Sequence, residues 1–379
     1  MKIAIDATNL KSGGGLSHLK QISKEIYNSK DIEIHLFGGD WIKQVQSENK
    51  HVFREEFSSI FKQEYFKRFE LPKLLANFDI VFAPGGSFYS KKTPYITMCR
   101  NMLVFEEVER NRFPFSFTWL RYLFLERIQL RSYLNSKGII YISEYAKKYV
   151  ETKYPELKSK KSKVIYHGIS NDFRQKPKKQ KPLEFYSQEK PFKLLYVSII
   201  NYYKHQWNVI EAVTRLRVKG FPIVLELVGP IYKGLNKRMA KVLNGTDSFI
   251  YYKGALPYEE IESTYKNADA FIFASTCENM PNILVEAMSA GLPILCSNYG
   301  PMPEVLKDGG IYFDPIDVES ITMNLEMLLI DPEKRQKIAQ RSYEYSQGFS
   351  WKKTADETLK FIKELGGNQK INETNHTRP

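Results

Sequence analysis

Two successive series of alternating strand-like and helix-like segments constrain the fold of this chain more than any other feature. Such alternation is typical of a parallel sheet covered by helices on both faces, so the fold class predicted is α/β. The strands predicted in the first series are 2–6, 32–37, 79–83, 95–98, 138–143 and 163–168. Those predicted in the second series are 192–197, 223–228, 249–252, 270–274 and 293–297.

A polar and basic stretch, residues 174–190, separates the two series. It contains two prolines and has no apolar periodicity, which is typical of a domain linker. We therefore predict two Rossmann-like, doubly wound domains over residues 1–185 and 186–348. A ligand is expected in a central cleft between them, near the carboxyl ends of the strands. Helix is predicted to continue to residue 365, and the tail 366–379 is predicted to be disordered.

The net positive charge of the chain arises entirely from its first half. Residues 1–190 hold 34 Lys and Arg against 21 Asp and Glu, whereas residues 191–379 hold 22 of each. This asymmetry indicates an anionic partner, such as nucleic acid, phospholipid headgroups or a phosphorylated substrate. A basic surface that only maintains solubility is the alternative.

Several classes of protein are disfavoured by the composition. No apolar run approaches the roughly 18 residues that a membrane-spanning helix needs. A carboxylate at Asp6 interrupts the region where a signal peptide would be apolar, so a cytoplasmic location is expected. The three cysteines are far apart and odd in number, which fits neither a disulfide framework nor a zinc site.

The most informative stretch is 271–297, which is predicted to form a strand, a loop, a helix, a tight turn and a second strand. Pro281 suits the first position of the helix and Gly291 suits its left-handed end. The amino end of such a helix is a ready anion site. Glu278 before the helix and Glu286 within it could accept hydrogen bonds from sugar hydroxyls. The alternative is a surface charge at Glu286 and a favourable helix-dipole partner at Glu278.

This stretch resembles the E-x7-E region of retaining nucleotide-sugar glycosyltransferases of family 4, which have the GT-B architecture. Glu278-x7-Glu286 is followed by Ala-Met-Ser-Ala-Gly-Leu-Pro, as in that family. Other segments resemble family motifs in the same order along the chain, and they are Tyr141-Ile-Ser, Val164-Ile-Tyr-His-Gly, Leu195-Tyr-Val-Ser, Tyr203-Lys-His, Leu227-Val-Gly, Pro303-Glu-Val and Phe349-Ser-Trp. The resemblance implies an N-terminal acceptor domain, a C-terminal donor domain and a crossover helix over 349–365 that returns toward the N-terminal domain.

The resemblance also implies roles for individual residues. Glu278 would hold hydroxyls of the transferred sugar, and Glu286 would bind the ribose. Lys204 would neutralise the diphosphate as the glycosidic bond breaks. The remaining donor-binding predictions are Asn279, Met280, Asn282 and Ile283, and Gly14 and Gly15 of a glycine loop.

The sequence departs from the family pattern at two points in the predicted cleft. Ile199 or Ile200 stands where an Arg usually accompanies the Lys that binds the diphosphate, so another cation would substitute, with Arg100 as a candidate. A family His is replaced in Thr97-Met-Cys-Arg-Asn, so Arg100 and Asn101 are candidates for that position, and Asn101 is counted as catalytic. The family's Glu-x-Phe-Gly reads Glu-Asn-Met-Pro at 278–281, so the resemblance does not imply which sugar is transferred.

No cofactor or metal is predicted, because the chain has no Asp-x-Asp and a nucleotide diphosphate sugar serves as co-substrate. In a retaining enzyme of this type, the departing phosphate oxygen can accept the proton of the acceptor, while the protein positions charges. His18, beside the glycine loop, is a candidate acceptor contact; its alternative is an ordinary residue at the start of a helix.

A basic aromatic segment follows residue 113. Apolar residues recur there at helical spacing, and the residues predicted to face an anionic membrane are Trp119, Arg121, Arg127 and Arg131. The alternative is a core-packing helix with its arginines in water. Nucleic acid is disfavoured as a partner, since no binding motif accompanies the charge.

These observations predict a metal-independent retaining glycosyltransferase, peripheral on the cytoplasmic face of the inner membrane. It would transfer a hexose or deoxyhexose, with a mannose-type sugar expected, to a growing, lipid-linked bacterial surface glycan such as O-antigen, capsule or exopolysaccharide. The alternatives are a nucleotide-sugar epimerase of the same architecture and a non-catalytic homologue that binds glycan or membrane.

Overall fold

The computed structural model describes residues 1–11, 13–26, 32–113, 116–246 and 248–367. The chain divides into two compact units. The first unit comprises Met1–Phe105, Phe117–Gly168 and the chain from Ser350 onward, and the second comprises Glu106–Ser116 and Ile169–Phe349. Elements are numbered below along the whole chain.

The first unit is built on a seven-stranded parallel sheet with the strand order β3-β2-β1-β4-β5-β6-β7. Its strands are β1 (Lys2–Asp6), β2 (Glu33–Gly38), β3 (Asn49–Val52), β4 (Ile80–Ala83), β5 (Tyr95–Cys99), β6 (Gly138–Tyr141) and β7 (Ser162–Val164). Its helices are α1 (Gly13–Ile26), α2 (Ile60–Tyr65), α3 (Leu71–Leu74), α5 (Phe117–Asn135), α6 (Glu144–Lys153) and α14 (Trp351–Gly366). Strands β4 and β5 are buried at every position, because helices cover both faces of a parallel sheet.

The second unit is built on a six-stranded parallel sheet with the strand order β10-β9-β8-β11-β12-β13. Its strands are β8 (Phe192–Val197), β9 (Ile223–Val228), β10 (Ile250–Gly254), β11 (Ala270–Phe273), β12 (Ile294–Ser297) and β13 (Ile311–Phe313). Its helices are α4 (Glu107–Arg110), α7 (Gln206–Val218), α8 (Asn236–Leu243), α9 (Tyr258–Lys266), α10 (Asn282–Ser289), α11 (Met302–Leu306), α12 (Val318–Ile330) and α13 (Pro332–Ser346). The predicted α/β class with two doubly wound sheets is confirmed.

Three local predictions differ from the structure. The glycine stretch expected to be a loop forms the first turn of α1, with Gly13 at a φ of +66° that glycine adopts readily. The strand expected over 163–168 is only Ser162–Val164. Strands β3 and β13 were not predicted, since β3 reads Asn-Lys-His-Val and has no apolar run, and β13 has only three residues.

The predicted linker lies along the second unit. The amide of Gln175 donates to the carbonyl of Ser289, and the guanidinium of Arg335 binds Gln180 and the carbonyl of Lys181. Residues 169–185 therefore group with the second unit, whereas the sequence analysis placed them in the first.

The C-terminal helix α14 belongs to the first unit, where it packs on α1. Its amino end is capped by Ser350, and the hydroxyl of Thr354 donates to the carbonyl of Tyr166 in the same unit. The tail predicted to be disordered begins in the described part, since Gly366 ends α14, and its residues 368–379 lie outside the described residues. Among the described residues, no helix is both long and apolar enough to cross a bilayer.

Arg335 on α13 is a fully buried cation that joins the linker to the helices of the second unit. Its guanidinium donates to the carbonyls of Leu328 and Leu329 at 2.5 and 2.6 Å, and to Gln180 at 3.2 Å. Hydrogen bonds from a charged donor are among the stronger ones, and loss of the donor leaves buried carbonyls unsatisfied.

We therefore expect Arg335→Met to lower the free energy of unfolding of the second unit by about 2–4 kcal/mol. Lys337→Met, at an exposed position on the same helix, should change it by less than about 0.5 kcal/mol. Urea unfolding monitored by circular dichroism measures both variants. Equal midpoints for the two variants would contradict a structural role for Arg335.

Candidate active site

A buried ion pair between Lys204 and Glu278 lies at the carboxyl end of the second sheet. The Nζ of Lys204 donates to the Oε1 of Glu278, and the hydroxyl of Ser275 donates to the same oxygen at 2.6 Å. The two charged side chains are only 6% and 15% exposed, respectively. Burying such a pair costs desolvation free energy, which the mutual attraction of the two groups and the hydrogen bond from Ser275 partly offset.

The chain brings the two residues together through adjacent parallel strands. Lys204 follows β8, and Glu278 follows β11, which pairs directly with β8. Tyr196 on β8 fixes this junction, since its hydroxyl donates to the carbonyl of Lys204 and accepts from the amide of Ala274. Because parallel strands end at one edge of a sheet, loops distant in sequence meet there.

Glu286, the second predicted carboxylate, lies on α10 and is partly buried. The hydroxyl of Tyr265 lies 3.0 Å from its Oε2 and 3.2 Å from the carbonyl of Ile283. Burial raises the pKa of Glu286 to about 7, although the Tyr265 hydrogen bond lowers it. The side chain is therefore held in place and ready to ionise near neutral pH.

The other predicted donor residues of the second unit lie at the amino end of α10. Asn279 and Met280 are buried in the preceding loop, and Asn282 and Ile283 begin the helix. The N-cap residue is Pro281, which has no side-chain acceptor, and the first turn carries no acidic residue. The helix dipole therefore acts on this loop without a capping carboxylate.

A second set of contacts lies next to the ion pair and is not predictable from the sequence. Thr276 Oγ1 donates to Glu109 Oε2 at 2.6 Å and lies 3.2 Å from His205 Nε2. Glu109 also accepts from the Nε of Arg112 at 2.7 Å. Glu109 is 167 positions from Thr276 in the chain, and no local pattern connects the two, so the sequence held no signal for this contact.

In the second unit, isoleucine stands at the position where the resemblance implies an arginine. Ile200 is buried, and the carbonyl of Ile199 accepts from the side chain of Gln206. The candidate replacement, Arg100, lies in the first unit, where it donates to the carbonyl of Gly14 at 2.8 Å. Burial lowers the pKa of Arg100 to about 10.

The other predicted residues of the first unit have contacts of their own. Gly14 and Gly15 lie in the first turn of α1, and the side chain of Asn101 accepts from the amide of Leu103. His18 is buried, with its ring 4.6 Å from that of His167 and 5.7 Å from that of Trp351. Burial, His167 and Arg100 hold the pKa of His18 well below its usual range. These contacts favour a packing role for His18, and its role as an acceptor contact stays a prediction.

The predicted membrane segment forms α5 of the first unit, and its orientation is unusual. The residues it buries are mostly polar and include Glu126, Gln129 and Ser132. Its exposed residues are Phe117, Leu120, Arg121, Phe124, Arg127, Ile128, Arg131 and Asn135, whereas Trp119 is half-buried. At 3.6 residues per turn, these exposed positions fall within an arc of about 120°.

The described residues contain no group of three or more His, Cys, Asp or Glu side chains placed to hold a metal ion. The independence from metal inferred from the sequence stays a prediction. What the second unit offers is one cation, two carboxylates and a helix amino end, which together suit a ligand that carries both phosphate and hydroxyl groups.

Comparison with known proteins assigns a domain to the second half of the chain. Residues 177–345 match the family described as Glycosyl transferases group 1. The O-antigen chain mannosyltransferase B of Escherichia coli is 33% identical over 119 residues, which cover 31% of this chain and 31% of that protein. The matched region spans less than two thirds of the length of the curated relatives compared.

Solved structures resemble the fold over nearly the whole chain. Sucrose-phosphate synthase from Thermosynechococcus elongatus superposes with a TM-score of 0.73 at 15% identity, covering 96% of this chain and 99% of that one. Anabaena HepE in complex with UDP-glucose superposes with a TM-score of 0.70 at 18% identity, covering 96% and 100%. The predicted GT-B fold is thereby confirmed.

Glu286 makes the stability of the second unit depend on pH. Its pKa in the folded protein lies above its ordinary value of 4.5, so the neutral carboxyl is favoured in the folded state. This contribution is complete below about pH 4.5 and is lost as the pH rises through about 7.

We expect the wild type to lose on the order of 1–2 kcal/mol between pH 5 and pH 8 relative to Glu286→Gln. Tyr265→Phe should move this loss to higher pH, because it removes the hydrogen bond that lowers the pKa. Urea midpoints at four pH values test this. Parallel pH profiles for wild type and Glu286→Gln would show that Glu286 does not titrate in this range.

Proposed function

We propose that this protein is a retaining glycosyltransferase. It transfers a hexose or deoxyhexose from a nucleotide diphosphate sugar to a growing, lipid-linked bacterial surface glycan. The observation that carries the proposal is the buried Lys204–Glu278 pair beside the uncapped amino end of α10. Burying a cation and a carboxylate gives little net stability, so a buried pair at the end of a sheet is a candidate functional site.

The comparisons support the donor and acceptor classes. One structural neighbour was solved with UDP-glucose, which supports a nucleotide diphosphate sugar as donor. The name of the O-antigen chain mannosyltransferase supports a bacterial surface glycan as acceptor and mannose as the first sugar to try.

In the proposed mechanism, the donor separates the two charges of the resting pair. Lys204 turns to the diphosphate oxygens, and Glu278 then accepts hydrogen bonds from sugar hydroxyls while Ser275 keeps it in place. Glu286, ionised near neutral pH, accepts from the ribose hydroxyls. The amides at the start of α10 face the diphosphate.

The chemical step exchanges one carbon–oxygen bond for another. The bond between the anomeric carbon and the phosphate oxygen breaks, and a bond to the acceptor oxygen forms on the same face of the sugar. The departing phosphate oxygen takes the proton of the acceptor hydroxyl. Lys204 stabilises the negative charge that develops on the diphosphate.

We expect Glu278→Gln to lower kcat by about a hundredfold or more, because a neutral amide cannot replace the charge-assisted contacts in the transition state. Glu259→Gln, at an exposed position on α9, is the matched control and should retain normal turnover. The donor is first identified by thermal stabilisation with UDP, GDP, ADP and their sugars. Turnover is then measured as labelled sugar transferred to lipid-extractable glycan.

The same experiment separates the competing functions. Near-normal turnover in Glu278→Gln would refute the role assigned to this residue. An isomerised sugar formed from donor alone would indicate an epimerase. If no nucleoside diphosphate stabilises the wild type, a non-catalytic binding protein is the better description.

The exposed face of α5 supports an anionic membrane as a partner. Its apolar residues are strongly exposed, with Phe117 at 82% and Phe124 at 56%, and they alternate with three arginines. Glu126, the acidic residue of the helix, is buried against Lys153 on the other side. Apolar side chains flanked by arginines suit the interface between headgroups and acyl chains.

We expect the triple change Arg121→Glu, Arg127→Glu, Arg131→Glu to weaken binding to vesicles of phosphatidylcholine and phosphatidylglycerol by roughly a hundredfold or more, at about 1 kcal/mol per arginine. The control reverses three exposed lysines of the second unit, Lys233, Lys237 and Lys241, by the same total charge. Flotation on a density gradient measures the bound fraction. Equal loss in both variants would show that only net charge matters, and a changed oligomeric state without lipid would assign the face to a second copy of the chain.

A further inference from the structure

We propose that Glu109 is a positioning residue of the active site, which sets the place of Glu278 and Lys204 through Thr276 and His205. This inference rests on the proposed function. It concerns a segment, residues 106–113, that lies in the chain between strand β5 and helix α5 of the first unit but belongs to the second.

Two residues of the segment, Phe113 and Glu109, make the contacts that hold it in the second unit. The ring of Phe113 lies 5.3 Å from that of Tyr202 and 5.7 Å from that of Tyr232, both in edge-on geometry. The carboxylate of Glu109 is only 5% exposed and accepts from Thr276 and from Arg112. Such a buried carboxylate would be unstable without these donors.

The hydrogen positions follow from the inventory of donors. The hydroxyl of Thr276 has a single proton, which it donates to Oε2 of Glu109 in its shortest contact, at 2.6 Å. His205 Nε2, 3.2 Å from the same hydroxyl oxygen, must then be the donor in that contact. Burial, together with Arg112 and Arg238, lowers the pKa of His205 to about 4, so the ring is neutral and carries its proton on Nε2.

This chain of contacts runs directly beside the ion pair. His205 follows Lys204 in the sequence, and Thr276 follows Ser275, which holds Glu278. The amide of Thr276 also donates to the carbonyl of Tyr203 at 2.9 Å. The two loops that carry the charged pair are therefore hydrogen-bonded to each other close to the pair. Glu109, from a third segment, accepts a hydrogen bond from Thr276 at this connection.

The backbone at His205 shows why an outside contact is needed. His205 has a φ of 48° and a ψ of 30°, a left-handed conformation that is unfavourable for a residue other than glycine. In this proposal the contact with Thr276 offsets the strain and holds the backbone directly after Lys204 in place. Without it, both loops could relax while the fold stays intact, and a small displacement of the charged groups is costly for catalysis.

The test compares Thr276→Val, which removes the hydroxyl at nearly constant volume, with Thr276→Ser, which keeps it. Glu109→Ala removes the acceptor, and Glu107→Gln on the exposed side of α4 is the control. We expect Thr276→Val and Glu109→Ala to lower kcat by about tenfold to a hundredfold. The KM for the donor should change by less than about threefold, because Glu286 and the amides at the start of α10, which bind the nucleotide in the proposed mechanism, are not displaced. Thr276→Ser and Glu107→Gln should stay near wild type.

A second measurement does not depend on activity. Cys277, between Thr276 and Glu278, is buried, as are Cys99 and Cys296 elsewhere. Loosening of the loop should raise the rate of alkylation of Cys277 by N-ethylmaleimide about tenfold or more, because local opening exposes it. Peptide mass spectrometry should show Cys99 and Cys296 unchanged in the same samples.

The outcomes separate this proposal from the proposed function. Wild-type kcat and protected Cys277 in both Thr276→Val and Glu109→Ala would overturn it. So would equal losses in Thr276→Ser and Thr276→Val, or equal labelling of all three cysteines, which would indicate general destabilisation. If the wild type turns over no nucleotide sugar, the proposed function fails, while the labelling of Cys277 still decides whether Glu109 holds the loop.

Discussion

The ion pair of Lys204 and Glu278 is the interaction on which the candidate active site of the second unit depends. Both charges lie where little water reaches them, so each requires the other, and both require the strands that end beside them. Strands β8 and β11 bring the two residues to one edge of the sheet. Tyr196 and Ser275 then fix the backbone of one and the carboxylate of the other.

A pair of this kind contributes little net stability, because desolvation offsets most of the attraction. The pair keeps both charges at the site before a ligand arrives, and in the proposed mechanism the ligand then replaces the contact that the two charges make with each other. The same reasoning applies to Glu286, which Tyr265 holds in one orientation and burial keeps close to its titration point. The site thus holds a cation and two carboxyl groups in positions that suit a ligand with phosphate and hydroxyl groups.

In the first unit, by contrast with the buried ion pair of the second, the charged side chains of helix α5 are mostly exposed. Helix α5 turns polar side chains such as Gln129 and Ser132 toward the unit, where Ser132 accepts from the amide of Phe88. Its apolar residues and arginines remain on the outside. A helix that only packed against a sheet would bury Phe124 and Ile128 and expose Gln129. Most of the excess positive charge of the first 190 residues lies in the first unit, which also carries this exposed apolar surface.

The amino-acid sequence by itself determined the two parallel sheets, most of their strands, and the helix that carries Glu286. These features depend on local periodicity and on turn residues such as Gly291, whose φ of +66° ends α10 as expected. Short or polar strands such as β3 are not predicted from the sequence, because their formation depends on pairing with neighbouring strands and not on their own residues.

Only the tertiary structure decided which side of α5 is buried, where the linker lies, and that Glu109 meets Thr276. In each case the deciding contact joins residues far apart in the chain, and hydrogen bonding or burial at such a distance leaves no periodic trace in either segment. Local physics specifies the elements, whereas the choice of partner is made by the packing of the whole unit.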